Sequence, residues 1–216
     1  MFNETLTYLI ELPLWELMAV AASMAYVIFA AKESVWCWPA ALVSTVIYTV
    51  IFYDVYLWMD SLLQVYYLVM AGYGWYSWQK LKHPMSVDNQ SMTQSQQVKA
   101  VMISSWSFTI HSKVIAMLAA ISLVVGYIMA TFTPTHFPYL DAATTVYAVF
   151  ATYLVTQKVV ENWLYWVVID LVSIYLYLEK GLTPTAGLFV VYVVIALIGY
   201  FSWRRNLTFQ SNLANA

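Results

Sequence analysis

The chain has 216 residues, of which 62% are apolar, 18% aromatic and 9% charged, with a formal net charge of −2. A soluble domain carries roughly 25% charged residues, so much of this surface must face lipid rather than water. The small net charge gives no nucleic-acid footprint, and the single cysteine, Cys37, excludes an internal disulfide framework.

A helix needs roughly 20 apolar residues to cross a bilayer. Seven spans meet that expectation in chain order, near 14–31, 35–53, 58–78, 113–132, 140–157, 161–179 and 184–203. Before the first span, residues 1–13 hold Glu4 and Glu11 and no cation, so no cleavable signal peptide is expected and the first span serves as its own insertion signal. The polar stretch 79–99, rich in Gln, Ser and Asn, joins span 3 to span 4, and the semi-apolar residues 100–112 are expected in the interface. Four blocks follow: 1–78 with the first three spans, 79–139 with a loop and a linker span, 140–205 with the last three spans, and a tail at 206–216.

Orientation follows from the basic residues. With the N-terminus outside and the C-terminus in the cytoplasm, Lys32, Lys80, Lys82, Lys99, Lys113, Lys158, Arg204 and Arg205 lie inside, and only Lys180 lies outside.

Residues 74–78 read GWYSW and residues 199–203 read GYFSW, 125 residues apart. Both end a span and are followed by cations. Spans 3 and 7 are separated by an even number of crossings, so both point the same way. Tyr67 matches Tyr192 at the same offset, and Lys32 is matched with Lys158 at an offset of 126. The expected fold is therefore all-α and integral to the membrane, with seven transmembrane helices as two parallel three-helix bundles joined by a linker helix. Internal repeats of this kind are a transporter architecture, with the solute held between the repeats. An interfacial aromatic anchor written twice is the simpler reading of the pentapeptides alone.

Ionisable groups inside a span are costly and point to function. Asp170 lies in the middle of span 6 and shares a helical face with Trp163, Trp166, Ser173 and Tyr177. Span 3 carries a stripe of Asp60, Gln64, Tyr67, Ala71 and Trp75; span 7 carries Thr185, Phe189, Tyr192, Ala196 and Tyr200. Aromatic faces around a carboxylate suit a flat cationic solute, and a glutamine side chain suits an amide or aminopyrimidine edge. The expected binding set is Asp170 as counter-ion, Trp163, Trp166, Tyr67 and Tyr192 as aromatic walls, Gln64 and Asn162 as hydrogen-bonding groups, and Asp60, Ser173 and Tyr177 around them. Asp170 as a structural acid and Asp60 as a helix-capping or solvated acid are the plain alternatives. Gly72, Gly74, Gly199 and Pro184 are candidate points of close packing or bending.

His83, His111 and His136 fall in loops or at span ends, and no nucleotide, metalloprotease or serine-hydrolase motif is present. The pattern is that of a carrier without a cofactor, not an enzyme, working by facilitated diffusion. A membrane sensor or scaffold, with the aromatic stripes used only for packing, is the reading from another class.

DSLLQVYYLVMAGYGWYSW (60–78), KVVENWLYWVVIDLVSIYLYLEKGL (158–182) and the closing span through GYFSW resemble the PnuC-type vitamin transporters, over spans 2–3 and 5–7 more than over the first span and the linker. The resemblance implies a fold related to the SWEET sugar carriers, a homotrimer, and a place in a bacterial cytoplasmic membrane. It also implies uptake of an unphosphorylated vitamin driven by a cytoplasmic vitamin kinase. Members resembling nicotinamide riboside carriers have core asparagines where Ser44, Ala71, Asp170 and Ile198 are placed here. The thiamine-carrying branch is thus the better match, with nicotinamide riboside as the alternative.

Overall fold

The computed structural model describes residues 14–54, 58–82, 103–179, 181 and 183–214. Seven helices follow one another: α1 (Leu14–Ala31), α2 (Cys37–Asp54), α3 (Trp58–Lys82), α4 (Phe108–Phe132), α5 (Pro138–Thr156), α6 (Asn162–Glu179) and α7 (Thr183–Ala214). Among the described residues the one extended pairing is an isolated bridge between Ser104 and Val159.

The helices pack as two equivalent sets. In the first, α1 packs on α2 and α2 on α3; in the second, α5 packs on α6 and α6 on α7. Among the described residues the main contacts between the sets are α1 with α7 and α3 with α5, so the first helix of each set meets the third helix of the other. α4 lies outside both and packs on α5. There Gly126 lets the α5 backbone approach: a Cβ at Gly126 would sit 2.5 Å from the Tyr139 ring and 3.0 Å from its Cα.

Three described helices, Leu14–Ala31, Phe108–Phe132 and a stretch of α7, are individually long and apolar enough to cross a bilayer. The other four are shorter in their apolar stretch or carry polar residues. On α6, Leu164, Val168, Leu171, Tyr175 and Leu178 are exposed along one stripe, while Asn162, Trp163, Asp170, Ser173 and Leu176 are buried. Apolar side chains face out and polar ones face in, as a lipid solvent requires.

Two boundaries differ from the expectation. α4 begins at Phe108, with Ser107 extended (φ −67°, ψ 151°) just before it, so the span starts earlier than expected and His111, at its end, is helical and buried. α7 continues to Ala214, well past the pentapeptide, so the expected tail is helical; it contains no Gly or Pro to stop it, and Leu207 packs on the core. Pro184 falls in the first turn of α7, where proline is accommodated without a bend.

The repeat extends to single backbone bonds. α1 ends with Lys32, Glu33 and Ser34 N–H groups donating to Ile28, Ala30 and Phe29 carbonyls, and Cys37 and Trp38 N–H groups donating to Ser34 and Val35. α5 ends with Gln157, Lys158 and Val159 donating to Tyr153, Val155 and Leu154, and Asn162 and Trp163 donating to Val159 and Val160. Every donor and acceptor of the second set lies 125 residues after its counterpart. Each end is a Schellman closure whose left-handed position holds a charged residue instead of glycine: Glu33 at φ 54° and Lys158 at φ 52°. A left-handed non-glycine residue costs about 1–2 kcal/mol. The repeat mate of Lys158 is therefore Glu33, and the expected match of Lys32 with Lys158 is one residue out of register.

Candidate functional site

Asp170 sits between the two helix sets. It is 5% exposed, and among the described residues no hydrogen bond or cation reaches its carboxylate. A buried polar group left without a partner costs about 1–3 kcal/mol, which a bound partner can recover. The carboxylate is thus an acceptor suited to a cationic or hydrogen-bond-donating solute. Its repeat mate is Thr45, also buried, whose hydroxyl donates to the Ala41 carbonyl at 2.8 Å. The repeat is consequently asymmetric at this position: an acid on the second set and a neutral hydroxyl on the first.

Tyr67 of α3 and Tyr192 of α7, themselves repeat mates, both lie within electrostatic range of Asp170, and Tyr67 also of Tyr177. The Tyr192 hydroxyl shares a hydrogen bond of 2.9 Å with the Ser23 hydroxyl of α1. Away from the basic end, Tyr177, Phe189 and Tyr192 form a run of rings with centroids 5.0 and 5.6 Å apart. Ser173 is buried one turn beyond Asp170, and Gln64 is half-buried one turn from Tyr67. Trp166, half-buried, packs against both core clusters. Asp170, Tyr67, Tyr192 and Tyr177 thus lie close together, with Ser173 one turn along the same helix from Asp170; no contact among the described residues ties Gln64 or Trp166 to the Asp170 carboxyl.

Trp163 and Asn162 do not belong there. Seven residues of helix place Trp163 roughly 10 Å along the axis from Asp170. Trp163 instead packs edge-on to Trp203 at 5.5 Å, Trp38 packs edge-on to its neighbour Trp78 at 5.3 Å, and Trp78 and Trp203 meet at 6.1 Å. The four indoles are at most 3% exposed and form a layer at the first turns of α2 and α6, with Trp78 near the end of α3 and Trp203 within α7. Asn162 is fully buried in the turn beside this layer, where its amide donates to the Val159 carbonyl at 2.6 Å. The Asp60 side chain lies outside the described residues. Ile198 faces outward, 59% exposed; two residues turn a helix by roughly 200°, and the buried repeat mate of Ala71 is Ala196.

Ser23 and Tyr26 were not anticipated. Tyr26 is close to both Tyr67 and Cys37 and packs on Trp38 at 6.2 Å, so it connects the Asp170 level with the tryptophan layer. Neither residue has a polar repeat mate, since Ala148 and Ala151 stand at the equivalent positions. The available signal was that Ser23 and Tyr26 are the only hydroxyl groups of α1.

A second polar cluster lies against α4. His111 Nδ1 and the Tyr165 hydroxyl are 3.0 Å apart, and His111 Nε2 is 3.7 Å from a Glu161 carboxylate oxygen. Glu161 also accepts from the Ser105 hydroxyl and the Trp106 N–H, fixing residues 103–107 on the turn between α5 and α6. The Ser104 N–H donates to the Lys158 carbonyl, and the Val160 N–H donates to the Ser104 carbonyl.

Comparison with known proteins places this arrangement. The chain is 25% identical to the nicotinamide riboside transporter PnuC of Escherichia coli over 178 residues, covering 75% of this chain and 73% of that protein. It is 25% identical to the riboflavin/roseoflavin transporter RibM of Streptomyces davaonensis over 174 residues, covering 80% and 76%. The crystal structure of the vitamin B3 transporter PnuC has the same fold, with a TM-score of 0.68 at 20% identity, covering 89% of this chain and 81% of that one. The family model described as nicotinamide mononucleotide transporter matches residues 13–205, which takes in the first span and the linker as well as the repeats. The chain belongs to this family, the PnuC-type transporters, and is a multi-pass membrane protein.

Proposed function

We propose that the protein is a facilitated-diffusion carrier for an unphosphorylated, cationic, water-soluble vitamin, with thiamine as the favoured solute. The observation that carries this reading is the buried Asp170, without a partner among the described residues, near Tyr67 and Tyr192. The carboxylate balances the thiazolium charge or accepts from the aminopyrimidine, and the aromatic rings flank the flat heterocycles. Nicotinamide riboside is the second reading: it also carries a ring cation, and it is the solute in the name of the Escherichia coli relative. Riboflavin is neutral and gains less from a central acid.

The two repeats, 1–78 and 140–205, rock about the site while the linker helix ties them together. The basic end faces the cytoplasm, the N-terminus lies outside, and the solute leaves chemically unchanged. Net uptake follows its phosphorylation by a cytoplasmic vitamin kinase, and the assembly is a homotrimer in a bacterial cytoplasmic membrane.

Calorimetry on the purified protein with thiamine, nicotinamide riboside and riboflavin in parallel tests the reading. Tight binding of thiamine alone supports it. Tight binding of nicotinamide riboside alone transfers the site to that solute, and binding of none favours a scaffold.

A further inference from the structure

The left-handed residues that close α1 and α5 are equivalent in the repeat, opposite in charge, and in contact. Lys158 Nζ is 3.5 Å from Glu33 Oε2, with the two side chains 8% and 19% exposed. Lys158 also places its ammonium 4.8 Å from the Trp78 ring centroid, and Glu33 accepts from the Asn206 amide at 2.6 Å. Lys158, from the second set, therefore reaches Glu33 and Trp78 of the first. Glu33, from the first set, reaches Lys158 and Asn206 of the second. These contacts join the sets to each other.

Below this network lies the tryptophan layer, which is braced across the same boundary. The Trp203 N–H donates to the Ala30 carbonyl at 3.1 Å, one residue from the α1 end. Its repeat mate Trp78 has a buried N–H with no acceptor among the described residues, and Lys158 stands over its ring instead. Here the repeat is symmetric in backbone and asymmetric in side-chain bonding. Strained conformations persist only where their surroundings hold them, and they gather at switches.

We propose that Glu33 and Lys158 form a latch that closes the basic end of the carrier over the tryptophan layer, and that this latch opens whenever that end admits or releases solute. The inference rests on the carrier reading, because a scaffold has no end to open. Charge pairs suit this role: they are directional, they hold only at short range, and water competes for both partners once the helix ends part. The indole of Trp78 and the amide of Asn206 give each charge a second contact during separation.

Cys37 supplies the test. It is the only cysteine in the chain, fully buried, four residues past Glu33, and packed with Trp38, Trp163 and Trp203 behind the latch. The full-length protein in lipid nanodiscs is treated with a charged, membrane-impermeant methanethiosulfonate, and Cys37 modification is timed without any vitamin present. Both faces are accessible in a nanodisc, so the result does not depend on orientation. E33Q and K158Q are each expected to raise the modification rate by about tenfold or more, as a larger population of the open form would. The double exchange of E33K with K158E is expected to restore protection. Wild-type rates in both single variants overturn the latch. So do raised rates that the charge exchange fails to lower, since the defect would then be loss of fold rather than of the pair. Failure of the carrier reading shows separately, as absence of vitamin binding with this labelling pattern intact.

Discussion

The Trp163 indole lies against the backbone of Gly199, so closely that a Cβ at that glycine would come 2.7 Å from the ring. Trp38 lies against Gly74 in the same way, at 2.3 Å. The repeated pentapeptide is explained by this contact. Its glycine receives the tryptophan that opens the preceding helix, and its own closing tryptophan, Trp78 or Trp203, completes the layer. G199A and G74A should each destabilise the protein by about 1–3 kcal/mol through overpacking. The thermal midpoint in detergent should fall by several degrees, and W163F should recover part of the loss in G199A. By contrast, G72A should be silent in the same assay, because nothing stands within 4 Å of a Cβ there.

Asp170 separates binding from stability. D170N keeps the shape of the side chain and removes a buried acid that has no described partner. Vitamin affinity should drop by about 10- to 100-fold, the usual worth of a hydrogen bond to a charged group. The thermal midpoint without vitamin should stay the same or rise. Calorimetry and a melting curve on one preparation report both, and an unchanged affinity would remove Asp170 from the site.

Ser23 and Tyr192 should behave as a unit. The Ser23 hydroxyl holds the Tyr192 hydroxyl at 2.9 Å, beside the Asp170 level. S23A and Y192F should each weaken vitamin binding, by about 0.5–1.5 kcal/mol, and the double variant should be no worse than Y192F alone. Additive losses in the cycle would mean that the two hydroxyls act independently.

Glu161 anchors residues 103–107. E161A leaves the Ser105 hydroxyl and the Trp106 N–H without their acceptor. Chymotrypsin should then cut after Trp106 faster than in the wild type, with a stability loss of about 1–3 kcal/mol. Equal digestion rates would show that the bridge between Ser104 and Val159 suffices to hold the segment.

Composition and order along the chain already determined much of the molecule. The apolar runs give seven helices, with α1 and the start of α3 at the expected residues, because lipid burial demands length and hydrophobicity that are visible locally. The pentapeptides give two parallel sets, because a repeated fold unit repeats its close-packing positions. The inward stripe of α6 around Asp170 was legible for the same reason: in lipid, a polar residue on an otherwise apolar helix turns inward.

Only the tertiary structure decided what meets across the boundary between the sets. It separated Trp163 and Asn162 from Asp170, because distance along a helix axis limits what one face can share. Ser23 joined the site from a helix with no polar repeat signal. Lys158 passed from a simple orientation marker to a buried partner of Glu33, and Ile198 moved to the outer surface. A sequence pattern states which face a residue occupies on its own helix. Which faces meet is decided by how seven helices jointly exclude lipid and satisfy their polar groups, and that is a property of the assembled fold.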